Sequence, residues 1–196
     1  MKHLVLMFDV DGVLAHFTLG YTKLLNSIAK SGPILTNDQV EEWDFDARLW
    51  PANVVRGAWE YIKQSDSFWY DLETLASSED LLRVGSLQAQ HDVYFTTSRP
   101  GKSSKIQTEM WLQKYNVFNP TVIVTNKKGE VAKVLGADYA IDDKAGNAIV
   151  IPYFSPKTRS YLLGAKYNQF DHAVVGAKVR RVSKLSDYLD AIEEQK

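Results

Sequence analysis

No cysteine occurs in the 196 residues. Disulfides, thiolate metal centres and a cysteine nucleophile are therefore excluded. The four histidines show no metal-ligand spacing. Charge of one sign is missing too: the formal net charge is −1. Nothing in that balance suits a nucleic-acid backbone or an anionic membrane surface. No apolar run approaches the ~18 residues of a membrane span. The first apolar run is short and ends in acids, unlike a secretory signal, so a cytoplasmic, reducing compartment is expected. Glycine-rich phosphate loops are absent as well. No Gly-x-Gly-x-x-Gly occurs, and Gly101-Lys102-Ser103 lacks the first glycine of a P-loop, because position 96 is Thr. What remains is a chain with a 45% hydrophobic fraction, ordinary for a packed core. Its length suits one domain plus a modest insertion.

The apolar run Leu4-Val5-Leu6-Met7-Phe8 reads as a buried strand and leads straight into Asp9-Val10-Asp11-Gly12. Carboxylates two residues apart at a strand end point to the same side, roughly 7 Å along the chain. Gly12 allows a sharp turn after them. Taken alone, Asp-x-Asp-Gly is also an ordinary turn sequence. It is no calcium loop, because Val13 stands at the next ligand position. A second strand, within Asp138-Tyr139-Ala140-Ile141-Asp142-Asp143, again ends in paired acids. Adjacent carboxylates repel each other, and a cation relieves that repulsion. Two such strand ends suggest one shared metal site.

Helical spacing is expected over Phe17–Lys30 and Val54–Ile62, and a capping box at Thr36–Gln39 predicts a helix through Trp43. Ser78 is expected to cap a helix running to about Gln90. From His91 strands and helices alternate: strands at Val93–Thr96, Thr121–Val124, Tyr139–Ile141 and Tyr161–Leu163, helices at Ser103–Tyr115, Gly129–Leu135 and Ser186–Glu194. That rhythm predicts an α/β fold, a parallel sheet flanked by helices on both faces. Residues 16–77 break it and read as a helical insertion, leaving 1–15 and 78–196 as the core. Thr97 and Ser98 follow a strand and suit a phosphate oxygen. Lys127 and Lys128 precede a helix, where a lysine can neutralise phosphate.

These residues, in this order, resemble the haloacid dehalogenase-like phosphatases. Asp9-Val10-Asp11-Gly12 looks like their first motif, Thr97 their second, a Lys their third and Asp142-Asp143 their fourth. Within that superfamily the chain is most similar to the 5′(3′)-deoxyribonucleotidases. The resemblance implies a Rossmann-like core with a small helical cap after the first strand, and the following roles. Asp9 would be the nucleophile and a Mg²⁺ ligand. Asp11 would be the general acid and base, holding the metal through its carbonyl. Thr97 and Ser98 would bind phosphate. Asp143 would ligate Mg²⁺, with Asp142 ligating or supporting it. Lys128 has the best spacing for the phosphate-binding lysine, and Lys127 and Lys133 stay open. Arg99 stands where these nucleotidases often carry Pro. An Arg there implies a different rim that can grip a second anionic group.

The insertion is rich in aromatics, most of which fill a small core. Phe17 and Trp43 match residues that contact the base in these nucleotidases, and an aromatic face stacks on a nucleobase. The expected substrate is a nucleoside monophosphate. Alternatives are another small phosphate ester, a nucleic-acid 3′-phosphate, which the neutral charge disfavours, or a non-catalytic nucleotide-binding module. A membrane partner is not expected. A homodimer is compatible with the sequence, which carries no signal on that point.

Overall fold

The structure is a computed structural model that describes residues 2–169 and 178–194. Its centre is a six-stranded parallel sheet in the order β3-β2-β1-β4-β5-β6. The strands are β1 (Val5–Asp9), β2 (Asp92–Thr97), β3 (Thr121–Val124), β4 (Tyr139–Asp142), β5 (Arg159–Leu163) and β6 (Val179–Val182). Helices α4 (Ser78–Leu87), α5 (Ser104–Lys114), α6 (Lys128–Leu135), α7 (Ala145–Phe154) and α8 (Leu185–Glu193) flank it. The unbroken apolar run of β1 follows from burial on both faces. Leu6 and Phe8 enter one core with Trp111 and Leu189. Val5 and Met7 point the other way, into a cluster with Ala132 of α6 and Ile151 of α7.

After β1 the chain builds β2 and β3 on one side, then crosses to β4 on the other. The strand order thus reverses beside β1, and open α/β sheets bind ligands in the crevice at such a point. Phe8 pairs with Ile141, so Asp9 and Asp142 are the next residues of two adjacent strands.

Between β1 and β2 lie α1 (Phe17–Ala29), α2 (Phe45–Leu49) and α3 (Ala52–Gln64). The chain departs and returns through a narrow neck. The His16 amide donates to the Glu73 carbonyl at 2.8 Å, and the Leu75 amide to the Leu14 carbonyl at 2.7 Å. Tyr21, Trp50, Ala58 and Trp69 from this segment share one continuous apolar cluster with the sheet.

Two local expectations need correction, and two elements were not anticipated. Residues 36–43 form turns, not a helix. The Gln39 Oε1 does accept the Thr36 amide at 2.9 Å, but the Gln39 amide closes a tight turn onto the Thr36 carbonyl, and the next helix begins only at Phe45. The cap of α4 is Ser77, whose side chain accepts the Asp80 amide, one residue before the expected Ser78. Helix α7 escapes the sequence reading because it contains Pro152, a helix breaker. The carbonyl that Pro152 cannot reach, that of Ala148, accepts the Ser160 hydroxyl at 2.7 Å instead. Strand β6 escapes too, its exposed Arg180 and Arg181 hiding the apolar pattern.

Candidate active site

Asp9 is the last residue of β1 and is buried. Lys128 opens α6 and is buried as well. Its Nζ lies 2.8 Å from Asp9 Oδ1 and 2.6 Å from Asp142 Oδ2. Of the three candidate lysines, Lys128 therefore reaches the acids, while Lys127 and Lys133 are exposed. The Val10 amide also donates to Asp9 Oδ1, at 2.7 Å. Asp142 is held by the Lys144 amide at 2.9 Å and by Asn147 Nδ2 at 3.1 Å, both on Oδ1. Asn147 also reaches its Oδ2, at 3.2 Å. With Lys128 added, both oxygens of Asp142 are taken by protein donors.

Gly12 lies between the two acid loops with φ +76°, a backbone that favours glycine. A Cβ there would sit 1.9 Å from Asp143 Oδ2. The close approach of the β1 and β4 loops therefore depends on glycine. One oxygen each of Asp9, Asp142 and Asp143 falls within 4.8 Å of the others. Such a cluster of hard oxygen donors fits a divalent cation.

Thr97 ends β2, and its hydroxyl donates to Asp11 Oδ2 at 3.2 Å. Ser98 is exposed and donates to the Thr125 carbonyl at 3.0 Å. Arg99 is not at the rim. Its side chain is fully buried, its guanidinium lies 4.8 Å from the centre of the Trp69 ring, and its fork is committed to Asp11. Nε donates to Asp11 Oδ2 at 2.9 Å and NH2 to Oδ1 at 2.8 Å. NH1 donates to Thr108 Oγ1 at 2.9 Å. A bidentate pair of this kind fixes the carboxylate's orientation.

Phe17 and Trp43 both line the cavity of about 340 Å³ that opens over Asp9, Asp11, Thr97 and Lys128. Phe17 stacks on Trp69, Tyr21 and Trp59. Trp43 is 54% exposed. It packs edge-on against Tyr167, and Lys144 Nζ lies 4.7 Å from its ring centre.

Burial pushes the Asp9 carboxyl well above the usual carboxylate range, and Asp142 adds to this while Lys128 opposes it. Burial likewise pushes Asp143 up to about 7, helped by Asp142. Burial works against the charge of Lys128, but Asp142 and Asp9 outweigh it and hold the ammonium above its ordinary range.

A pH dependence follows. Without metal, the folded chain keeps a proton on Asp143 that the unfolded chain releases at lower pH. Folding stability must then fall as pH rises from the ordinary value of 3.8 to about 7. A cation needs the ionised form, so its stabilising effect grows over the same window. Thermal midpoints measured in EDTA and in Mg²⁺ are expected to diverge as pH rises, and a constant gap would contradict this.

Sequence reasoning missed Asn147, Lys144, Tyr167, Trp59 and Trp69 at this site. Asn147 sits in the first turn of the unanticipated helix α7, five residues after Asp142, so finding that helix would have exposed it. Tyr167 carries no local signal.

Comparison with known proteins fits this geometry. Residues 3–184 match the family described as 5′ nucleotidase, deoxy (Pyrimidine), cytosolic type C protein. The chain belongs to that family. This nucleotidase-family chain is accordingly a phosphoric monoester hydrolase of the haloacid dehalogenase-like type. Among solved structures it is similar to a haloacid dehalogenase family hydrolase from Deinococcus radiodurans R1 with bound phosphate and sodium. That match has 12% identity and TM-score 0.63 over 98% of this chain and 96% of the other. A putative haloacid dehalogenase-like hydrolase from Burkholderia xenovorans LB400 matches with 12% identity and TM-score 0.62, over 99% and 98%. D,D-heptose 1,7-bisphosphate phosphatase from B. bronchiseptica, complexed with magnesium and phosphate, matches with 11% identity and TM-score 0.54 over both whole chains. At these identities the likeness concerns the fold. No curated protein sequence matches the chain. Among the described residues, no helix is long and apolar enough to cross a membrane.

Proposed function

We propose that this nucleotidase is a Mg²⁺-dependent phosphatase of nucleoside monophosphates, above all 5′-(deoxy)ribonucleotides, that works through an aspartyl-phosphate. The observation that carries this is one cavity with two kinds of wall. Asp9, Asp11 and Lys128 from the core and Phe17, Trp43 and Trp59 from the inserted segment line it together. That combination suits a phosphate joined to a flat base.

In the first step an Asp9 carboxylate oxygen attacks phosphorus and forms a P–O bond. The Lys128 and Val10 contacts both fall on Oδ1, which leaves Oδ2 the less encumbered nucleophile. The ester P–O bond breaks, and Asp11 gives its proton to the leaving oxygen, a step that requires Asp11 to turn out of its resting contacts with Arg99 and Thr97 and so frees the Thr97 hydroxyl. In the second step Asp11 takes a proton from water, the resulting hydroxide attacks phosphorus, and the Asp9–phosphorus bond breaks to release phosphate. Lys128 and the Thr97 hydroxyl face the charge on the phosphoryl oxygens. Asp9, Asp143 and the Asp11 carbonyl would hold Mg²⁺, which supplies further positive charge to that group. Asp142, with both oxygens taken, anchors Lys128. Residues 16–77 act as the cap that carries the base-binding wall.

Phosphate release from a panel of ribo- and deoxyribonucleoside monophosphates, in Mg²⁺ and in EDTA, tests this. Metal-dependent release from nucleotides is expected. Release only from a simple aryl phosphate would sink the nucleotide pocket. Phe17 contributes through stacking worth about 1–3 kcal/mol per base. Phe17→Ala is therefore expected to raise KM for nucleotides by about 5- to 150-fold while changing KM for phenyl phosphate far less. Equal changes on both would show that Phe17 only fills the cap.

A further inference from the structure

One side of the acid cluster is built by the short turn Lys166–Asn168 after β5. Tyr167 donates its hydroxyl to Asp143 Oδ2. Asn168 is buried, and its Nδ2 donates to the Asp143 backbone carbonyl at 2.7 Å and to the Leu163 carbonyl at 2.9 Å. Its Oδ1 accepts the Ala165 amide at 3.0 Å and Arg181 NH1 at 2.7 Å. All four hydrogen bonds open to an Asn side chain are thereby made. Arg181 NH2 also donates to the Asn168 carbonyl, at 2.8 Å. A strut thus runs from Arg181 on β6 through Asn168 to the backbone of Asp143, with Tyr167 gripping the carboxylate beside it. Gly12 closes on the same Oδ2 from the β1 side, leaving no room there even for a Cβ.

We propose that the Tyr167–Asn168 turn is the positioning element of the cation site. It pins Asp143 at the backbone and, through Tyr167, at Oδ2, which leaves Oδ1 as the oxygen offered to the cation. The proposal rests on the metal-dependent reading above. A ligand held by outer hydrogen bonds meets its cation without losing further rotational freedom, and losing such a partner typically costs 10–100-fold in metal affinity.

Tyr167→Phe isolates the hydroxyl, because the ring that packs against Trp43 remains. Calorimetric titration of the whole protein with Mg²⁺, without substrate, is the primary readout. Tyr167→Phe is expected to weaken Mg²⁺ binding about 10-fold or more, and Asp143→Asn to abolish it. Arg181→Gln removes the far end of the strut at an exposed position and is expected to weaken binding by a smaller factor. It keeps the test open should the tyrosine variant fold poorly. If Asp143→Asn loses the cation while Tyr167→Phe and Arg181→Gln keep wild-type affinity, the proposal is overturned and the metal site stands. If the wild-type chain binds no Mg²⁺, the metal site itself is overturned, and the proposal with it.

Discussion

Asp9→Asn is expected to abolish phosphate release from nucleotides and aryl phosphates alike, by about 10⁴-fold or more, because the amide cannot act as the nucleophile that splits hydrolysis into two steps. The loss should fall on kcat for every ester, whatever its leaving group. The same substitution is expected to leave the metal-free fold at least as stable as before. Asp9 is buried beside Asp142 and Asp143, and its carboxyl is already driven toward the neutral form. An uncharged isostere relieves that repulsion, and Lys128 keeps Asp142 at 2.6 Å. Phosphate release and thermal midpoints in EDTA, measured on one preparation, check both halves. Residual turnover above about a hundredth of wild type would remove Asp9 from the nucleophile's role, since a group that only assists by proton transfer contributes about 10²–10⁴-fold.

Lys128→Met should harm both stability and activity. The side chain is buried and touches two buried carboxylates. Removing one partner of a buried ion pair costs about 3–5 kcal/mol, because the other charge stays behind unpaired. Methionine fills much the same space, so the loss reports charge rather than a cavity. Activity is expected to fall about 10²–10³-fold, the usual consequence of deleting one group that faces charge developing in the transition state. Mg²⁺ should restore part of the stability, since a cation held at the proposed Asp9 and Asp143 site would supply some of the missing positive charge. Guanidinium unfolding with and without Mg²⁺ reads this directly. A stability change under about 1 kcal/mol would mean that the acids are held neutral without Lys128.

The parts of this enzyme written as local pattern were legible in the sequence. An apolar run ending in Asp9 and Asp11, and a second ending in Asp142 and Asp143, suggested one shared acidic site, and the structure brings Asp9, Asp142 and Asp143 together on neighbouring strands. Lys128 was favoured by its spacing, and its burial between two acids separated it from Lys127 and Lys133. Arg99 was visible as a departure from the nucleotidase pattern, but not its destination. A lone arginine after a strand carries no sign that it will turn inward onto Asp11 and Thr108 and lie over Trp69. Helix α7 was hidden because Pro152 argues against a helix, and the compensating Ser160 hydroxyl comes from the next strand. Tyr167 and Asn168 reach Asp143 from 24 and 25 positions away, a separation across which no periodicity operates.

The neck at Ala15 and Thr74 bears on how fast the chain can fold. Strand β1 must meet β2 across a long intervening segment: Leu4 and His91, 87 positions apart, are hydrogen-bond partners. Closing so large a loop costs entropy before any sheet contact repays it. The bridge between Ala15 and Thr74 short-circuits most of that distance once α1 and α3 have packed on each other. The aromatic cluster of Phe17, Tyr21, Trp59 and Trp69 joins α1 to α3 beside this neck, and its Phe17 and Trp59 also line the substrate cavity. Weakening it should slow refolding more than it speeds unfolding, the signature of contacts already made at the folding barrier.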